Sequence, residues 1–142
     1  MARGASWELD GVSFKVLSPD PAWPLPARDE NARSLVIEVR HGATSFLLLG
    51  DASVATEGLL NFDATPHAVV KVGHHGAANS SSEALVVATR PRIAFISAGL
   101  RNRFSHPSPL VVERWSRAGA LVWRTDQQRT LHVTSDGTTV CW

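Results

Sequence analysis

Two short apolar runs in this chain stop at glycine, and each leaves ionisable side chains at the break. Leu47-Leu48-Leu49 runs into Gly50-Asp51, and Ala68-Val69-Val70-Lys71-Val72 runs into Gly73-His74-His75-Gly76. Apolar runs of this length bounded by glycine read as buried strands. The pattern places an acid and a histidine pair at the ends of two core strands. In open α/β sheets the ends of strands are where sites form. Carboxylate oxygen and imidazole nitrogen together suit zinc, manganese or iron.

The rest of the chain supports a layered α/β domain. Residues 7–17 alternate apolar and polar around Asp10-Gly11, a strong hairpin signal. Pro19, Pro21, Pro24 and Pro26 mark a loop and the only plausible linker. Residues 34–39 and 45–49 flank His41-Gly42-Ala43 as a second hairpin. A helix is predicted over 52–61, a strand over 68–72, and a second helix from the Ser80-Ser81-Ser82-Glu83 caps to Ala88 or Thr89. A strand over 93–97 and a helix over 108–118 follow, the latter with Pro109 in its first turn and Gly119 at its end. Residues 120–124, 130–134 and 138–141 read as closing strands, the last two joined by Asp136-Gly137. Strands, then alternating helix and strand, then strands imply a mixed sheet flanked by helices. The 142 residues fit a single domain.

Composition narrows the function classes. The net charge is +1, so nucleic-acid binding would need a local patch rather than bulk basicity. One cysteine, Cys141, excludes an intrachain disulfide and a cysteine-rich zinc knuckle. No apolar run approaches the roughly 20 residues of a membrane span, and Met1-Ala2-Arg3-Gly4 does not open a signal peptide. The expectation is a soluble chain. The five tryptophans are scattered and form no stacking stripe.

Three groups of residues can carry chemistry, each with a plainer alternative. Asp51 is either a helix N-cap or a metal ligand. His74 and His75 on an extended backbone would point opposite ways. One could bind a metal while the other packs, orients it or meets substrate; the alternative is a polar turn with two surface histidines. Gly73 and Gly76 leave room for something bulky. In Arg101-Asn102-Arg103-Phe104-Ser105-His106-Pro107, two arginines and a histidine suit a phosphate oxygen, against the alternative of a solvated loop capping the next helix. Asn79 and Ser80 to Ser82 are further donors near a predicted helix N-terminus. His41, His67 and His132 read as structural or surface residues.

Several linked motifs resemble the metallo-β-lactamase-like C-terminal domain of ComEC competence proteins. They are Asn31 to Val39, Phe46-Leu47-Leu48-Leu49-Gly50-Asp51, Val70-Lys71-Val72-Gly73-His74-His75-Gly76-Ala77, Asn79-Ser80-Ser81-Ser82-Glu83, the strand over 91–97, Arg101 to Pro107 and Arg124-Thr125-Asp126. Their order and spacing match from about Trp7 onward. The resemblance implies an αββα sandwich, of which this chain would supply the C-terminal half with a mixed sheet flanked by helices. It implies a dinuclear zinc or manganese centre, with Asp51 as bridging ligand and His75 as ligand. His74 and His106 would be catalytic, with Arg101, Arg103 and Asn79 binding substrate.

The same resemblance implies an incomplete centre. The family's histidine-rich metal motif lies in the N-terminal half, and residues 1–30 here contain no histidine. Ser105 and Ser108 stand where the family often has glycine and a second histidine. The complete domain would be a metal-dependent phosphodiesterase or nuclease linked to DNA uptake, attached in the family to the membrane channel domain of an inner-membrane protein. These 142 residues alone are expected to be inactive. The rival expectations are an inert half-domain that acts as scaffold or self-associates through an uncovered sheet face, and a metallo-phosphoesterase of another substrate class.

Overall fold

In the computed structural model, which describes residues 1–25, 30–60 and 66–142, the alternation around Asp10-Gly11 forms the expected hairpin. Strands β1 (Ser6–Leu9) and β2 (Val12–Ser18) pair antiparallel. Asp10 and Gly11 both take positive φ, as a two-residue turn of this hand requires. Strands β3 (Val36–His41) and β4 (Thr44–Leu48) continue the antiparallel half. Strands β5 (Val69–Lys71), β6 (Ile93–Ile96) and β7 (Leu121–Arg124) then add in parallel to β4. The seven strands lie in sequence order in one mixed sheet. Helix α1 (Val54–Glu57) follows β4, α2 (Glu83–Thr89) joins β5 to β6, and α3 (Pro109–Arg117) joins β6 to β7.

The α/β class and the mixed sheet are as expected; three local expectations are corrected. The helix predicted over 52–61 is a single turn, Val54–Glu57, and residue 61 lies outside the described residues. Pro26 of the proline-rich loop also lies outside them. The strand expected over 130–134 is irregular up to residue 133 and only Thr134 joins a strand, while the segment just before it forms a short helix, α4 (Thr125–Gln128). There the Thr125 hydroxyl donates to the Ala98 carbonyl at 2.7 Å and accepts from the Ala98 amide at 2.8 Å, which turns the chain away after β7. The last strands shrink to β8 (Thr134–Ser135) and β9 (Val140–Cys141), paired with each other. The Asp136 carboxylate collects the amides and hydroxyls of Thr138 and Thr139, so a tight side-chain-bonded turn replaces a longer ladder.

The two faces of the sheet have different fates. On one face Val36, Leu47, Val70, Ala94 and Ile96 are fully buried, and they form one core with Leu85 and Val86 of α2 and Val111 and Trp115 of α3. The opposite face is also apolar. Cross-strand register lines up Trp7, Phe14, Val39 and Phe46 in one row, and Ile37, Leu48, Phe95 and Trp123 in the next, with Lys71 between Leu48 and Phe95. These residues are half-buried or exposed, Leu48 at 41% and Trp7 at 37%, whereas Val16, Val69 and Ile93, which extend the same two rows, are buried, so this face is open only in part.

Two buried carboxylates fix the layers. Glu57 accepts from the amides of Ser81 and Ser82 at 2.6 and 2.7 Å, ahead of α2. The Ser81 hydroxyl in turn takes the Trp115 indole N–H at 2.9 Å. The anion place foreseen near Ser80 to Ser82 is thus filled by the protein's own Glu57. Glu38 lies 3.2 Å from the buried His67 and 2.8 Å from Arg40. The His67 bond, with Arg40, lowers its pKa to about 2.

Glu57→Ala strands two amides and should cost about 2–4 kcal/mol of unfolding free energy in urea titrations. Because Glu38 titrates lower in the folded than in the unfolded chain, its stabilisation is present above its ordinary 4.5 and is lost as pH falls toward about 2. Unfolding measured across that window should show a steep acid limb that Glu38→Gln flattens.

Candidate functional site at the strand ends

The carboxyl ends of β4, β5 and β6 meet at one edge of the sheet, and the ionisable residues singled out from the sequence gather there. Leu49 is buried, Gly50 takes a φ of +54°, and the chain turns so that Asp51 leaves the strand end with its amide donating to the Ser34 hydroxyl at 3.1 Å. The N-cap of α1 is Ser53, so Asp51 is not a cap. Its carboxylate Oδ1 faces His75 Nε2 at 3.4 Å. Lys71 reaches across from β5 and donates to the Gly50 carbonyl at 2.8 Å. Burial lowers the proton affinity of that ammonium, and the nearby Asp51 charge opposes the shift.

The His-His turn is not extended. His74 and His75 both adopt left-handed backbone, with φ of 48° and 54°, a region that histidine enters more readily than most residues. Their rings still go to different partners. His75 Nδ1 lies 2.7 Å from the Ser97 carbonyl at the end of β6. His74 Nε2 accepts from the Asn31 side-chain amide at 3.3 Å. The His74 ring meets the edge of His106 with centroids 5.8 Å apart. The bracketing glycines do not make room for a ligand, as the sequence suggested. A Cβ on Gly73 would sit 2.7 Å from the Ala52 carbonyl, and one on Gly76 would sit 2.6 Å from Pro107 Cβ. The glycines admit the protein's own backbone, and Gly76 also accepts from the Ser108 amide at 2.8 Å.

One side chain builds the loop that carries His106. Asn102 donates to the carbonyls of Gly99 and His106 at 3.0 and 2.6 Å, and accepts from the amides of Phe104 and His106 at 3.2 and 3.0 Å. His106 is held against His74 and Phe104. Desolvation first, then the neighbouring His74 and His75, lower its pKa. Arg101 and Arg103 are exposed, and among the described residues neither pairs with a carboxylate. Arg124 and Asp126 are bound to each other at 2.7 and 3.1 Å.

Asp51, His74, His75 and His106 therefore come together, with the two arginines on the same loop as His106. Asn79 is exposed in the turn before α2, its carbonyl taken by the Val54 amide at 2.8 Å. Asn31, Lys71 and Asn102 were missed. Lys71 carried a signal, a lysine in an otherwise apolar strand; Asn31 and Asn102 lie in two of the motifs that carry the resemblance but were given no role of their own.

The Asp51–His75 pair has features of a metal half-site. A carbonyl can only accept, so His75 Nδ1 carries the proton and donates it to Ser97. A neutral ring then turns the Nε2 lone pair toward the carboxylate. Two acceptors so placed call for a proton or a cation between them, and a backbone carbonyl behind the ring is the usual support of a liganding histidine. Two ligands about 2.0–2.1 Å from a tetrahedral ion lie about 3.3 Å apart, close to the 3.4 Å seen here. Among the described residues no group of three His, Cys, Asp or Glu side chains converges. These residues alone do not fit a complete metal centre, for which a catalytic zinc takes three protein ligands.

What the geometry defines is a helix-backed mixed α/β sheet with an acid–histidine site on its parallel strand ends. The chain is related to the ComEC-type competence proteins, in line with the motifs that resemble them. It is 37% identical to ComE operon protein 3 of Bacillus subtilis over 131 residues, which are 91% of this chain and 16% of that protein. It is 37% identical to Recombination protein 2 of Haemophilus influenzae over 86% of this chain and 15% of that protein. Competence protein ComA of Neisseria gonorrhoeae is 33% identical over 84% of this chain and 17% of its own length. The chain thus spans about one-sixth of the length of the curated relatives it matches. No protein-family model and no solved structure matches it. Among the described residues no helix is long and apolar enough to cross a membrane.

Asn102→Ala removes the brace of the loop. Proton NMR titration should place the His106 midpoint below the ordinary histidine value in the wild type and move it back toward that value in the variant.

Proposed function

We propose that this chain is the C-terminal part of a ComEC-type metallo-hydrolase domain that acts on a phosphodiester of DNA during uptake. The observation that carries the reading is the Asp51–His75 pair, at 3.4 Å with the far ring nitrogen on the Ser97 carbonyl. In this reading Asp51 and His75 give two donors to a zinc or manganese centre, and the remaining donors come from outside the chain. The partly exposed apolar sheet face supports the sandwich part of the proposal. Helices cover one face, and the other matches what a second β-sheet would bury in an αββα arrangement. In the parent protein the domain would adjoin a membrane channel domain.

The chain's own residues then have separable tasks. Arg101 and Arg103 attract the phosphate and can bind its oxygens in bidentate fashion. His106, with its lowered proton affinity, is a neutral imidazole near pH 7 that can accept a proton and return it to a leaving oxygen. His74 packs edge-on against His106 and holds its ring. Asn79, exposed in the turn before α2, is a more distant substrate contact. A second reading, an inert half-domain that works as a scaffold or self-associates through the partly exposed face, is favoured by the absence of a three-donor cluster among the described residues.

A longer polypeptide that includes the rest of the domain should degrade DNA with zinc or manganese, and Asp51→Ala should slow this by more than about 100-fold, beyond what loss of a supporting contact costs. Full activity in the variant would overturn the role of Asp51. A folded but inactive longer polypeptide would favour the scaffold.

A further inference from the structure

Between the His75 ring and the 99–106 loop lies a cleft of about 190 Å³, lined by His75, Ala98, Gly99, Asn102, Phe104 and His106. It is smaller than the roughly 300–1,000 Å³ of a pocket that encloses a whole drug-sized ligand, so it takes one small fragment. Its walls suit a flat one. Phe104 and His106 stack with centroids 5.8 Å apart and an interplanar angle of 20°. Gly99 adds no side chain, and a Cβ there would meet nothing closer than Asn102 Cβ at 3.9 Å.

Phe104 is 62% exposed, yet it is not a loose surface residue. Its amide is fixed by Asn102, its ring lies against His106, and the Arg103 guanidinium lies over it at 4.8 Å from the centroid. An aromatic ring held in the open beside two exposed arginines fits a ligand that joins a flat π-system to an anion. A nucleotide has that composition.

Resting on the reading of the site as a phosphodiester site, we infer that the Phe104 cleft is a base subsite. It takes one nucleobase of a single-stranded nucleic acid whose adjoining phosphate lies against Arg101 and Arg103. A base inside a duplex has no free face to offer, so the strand must be single at this point. The walls act by stacking rather than by base-edge hydrogen bonds, so the subsite tolerates any base. The Arg103 guanidinium that covers the ring in the free protein exchanges onto the phosphate when a base stacks there.

The test is fluorescence anisotropy with the 142-residue chain, an end-labelled oligothymidylate, and an abasic oligomer of the same length and charge. Wild type should bind the thymidylate about fivefold or more tightly than the abasic strand, the lower end of what one base–aromatic stack contributes. Phe104→Ala should erase the difference by weakening thymidylate binding alone, and Phe104→Trp should keep it. Arg101→Ala with Arg103→Ala should weaken both strands equally. Equal binding of both strands by wild type, or a preference untouched in Phe104→Ala, overturns the base subsite and leaves the phosphate reading standing. No binding of either strand overturns the subsite together with the phosphate contacts it rests on.

Discussion

Everything in this molecule depends on a sheet that is apolar on both faces and covered by helices on one. The covered face is dry: Leu47, Val70, Ala94 and Ile96 meet Leu85, Val86, Val111 and Trp115. That burial is what holds the parallel strands β4 to β7 side by side, and their carboxyl ends define the site. The other face shows aromatic and aliphatic rows, Phe46 beside Val39 and Phe95 beside Trp123, that a stable isolated sheet would rarely expose on this scale. The asymmetry links the fold to the reading of the chain as one portion of a larger domain.

The site is built by backbone more than by side chains. Gly73 and Gly76 let the His-His turn lie against Ala52 and Pro107 with no Cβ between them. That contact brings three strand ends close enough for Asp51, His75 and the Ser97 carbonyl to form one line of polar groups. Left-handed backbone at His74 and His75 is tolerated because hydrogen bonds from both sides fix it: His74 N to the Gly50 carbonyl at 3.1 Å, and Ala77 N to the His74 carbonyl at 2.8 Å. Strain held by its surroundings at such a turn is common where a protein positions functional groups.

Much of this was legible in the sequence because it is local. Asp10-Gly11 forces its hairpin, Pro109 starts its helix, and apolar runs ending in glycine mark the strand ends. That Asp51 and His75 would meet followed from their place on consecutive strands, which turn out to be neighbours in the sheet. What was not legible depends on distant partners. The donors before α2 are taken by Glu57, 24 and 25 residues earlier, so the local pattern of Ser81 and Ser82 could not show that the anion was internal. The tie between Thr125 and Ala98 spans 27 residues and turns the chain into a short helix right after β7, which the local sequence did not show. The rings of His74 and His75 took their directions from a left-handed backbone that an extended reading does not contain. The role of Lys71 lies in the Gly50 carbonyl, 21 residues earlier on the neighbouring strand end, a partner that the local pattern does not show.

The central claim is that Asp51 and His75 are two donors of a centre that this chain does not complete. Metal content by mass spectrometry tests it most directly, measured on the purified chain and on a longer polypeptide carrying the rest of the domain, each with and without Asp51→Ala. The expected result is little zinc or manganese in the short chain, a near-stoichiometric amount in the longer one, and its loss in the variant. Equal metal in the longer polypeptide with and without Asp51, or none in either, would contradict the account.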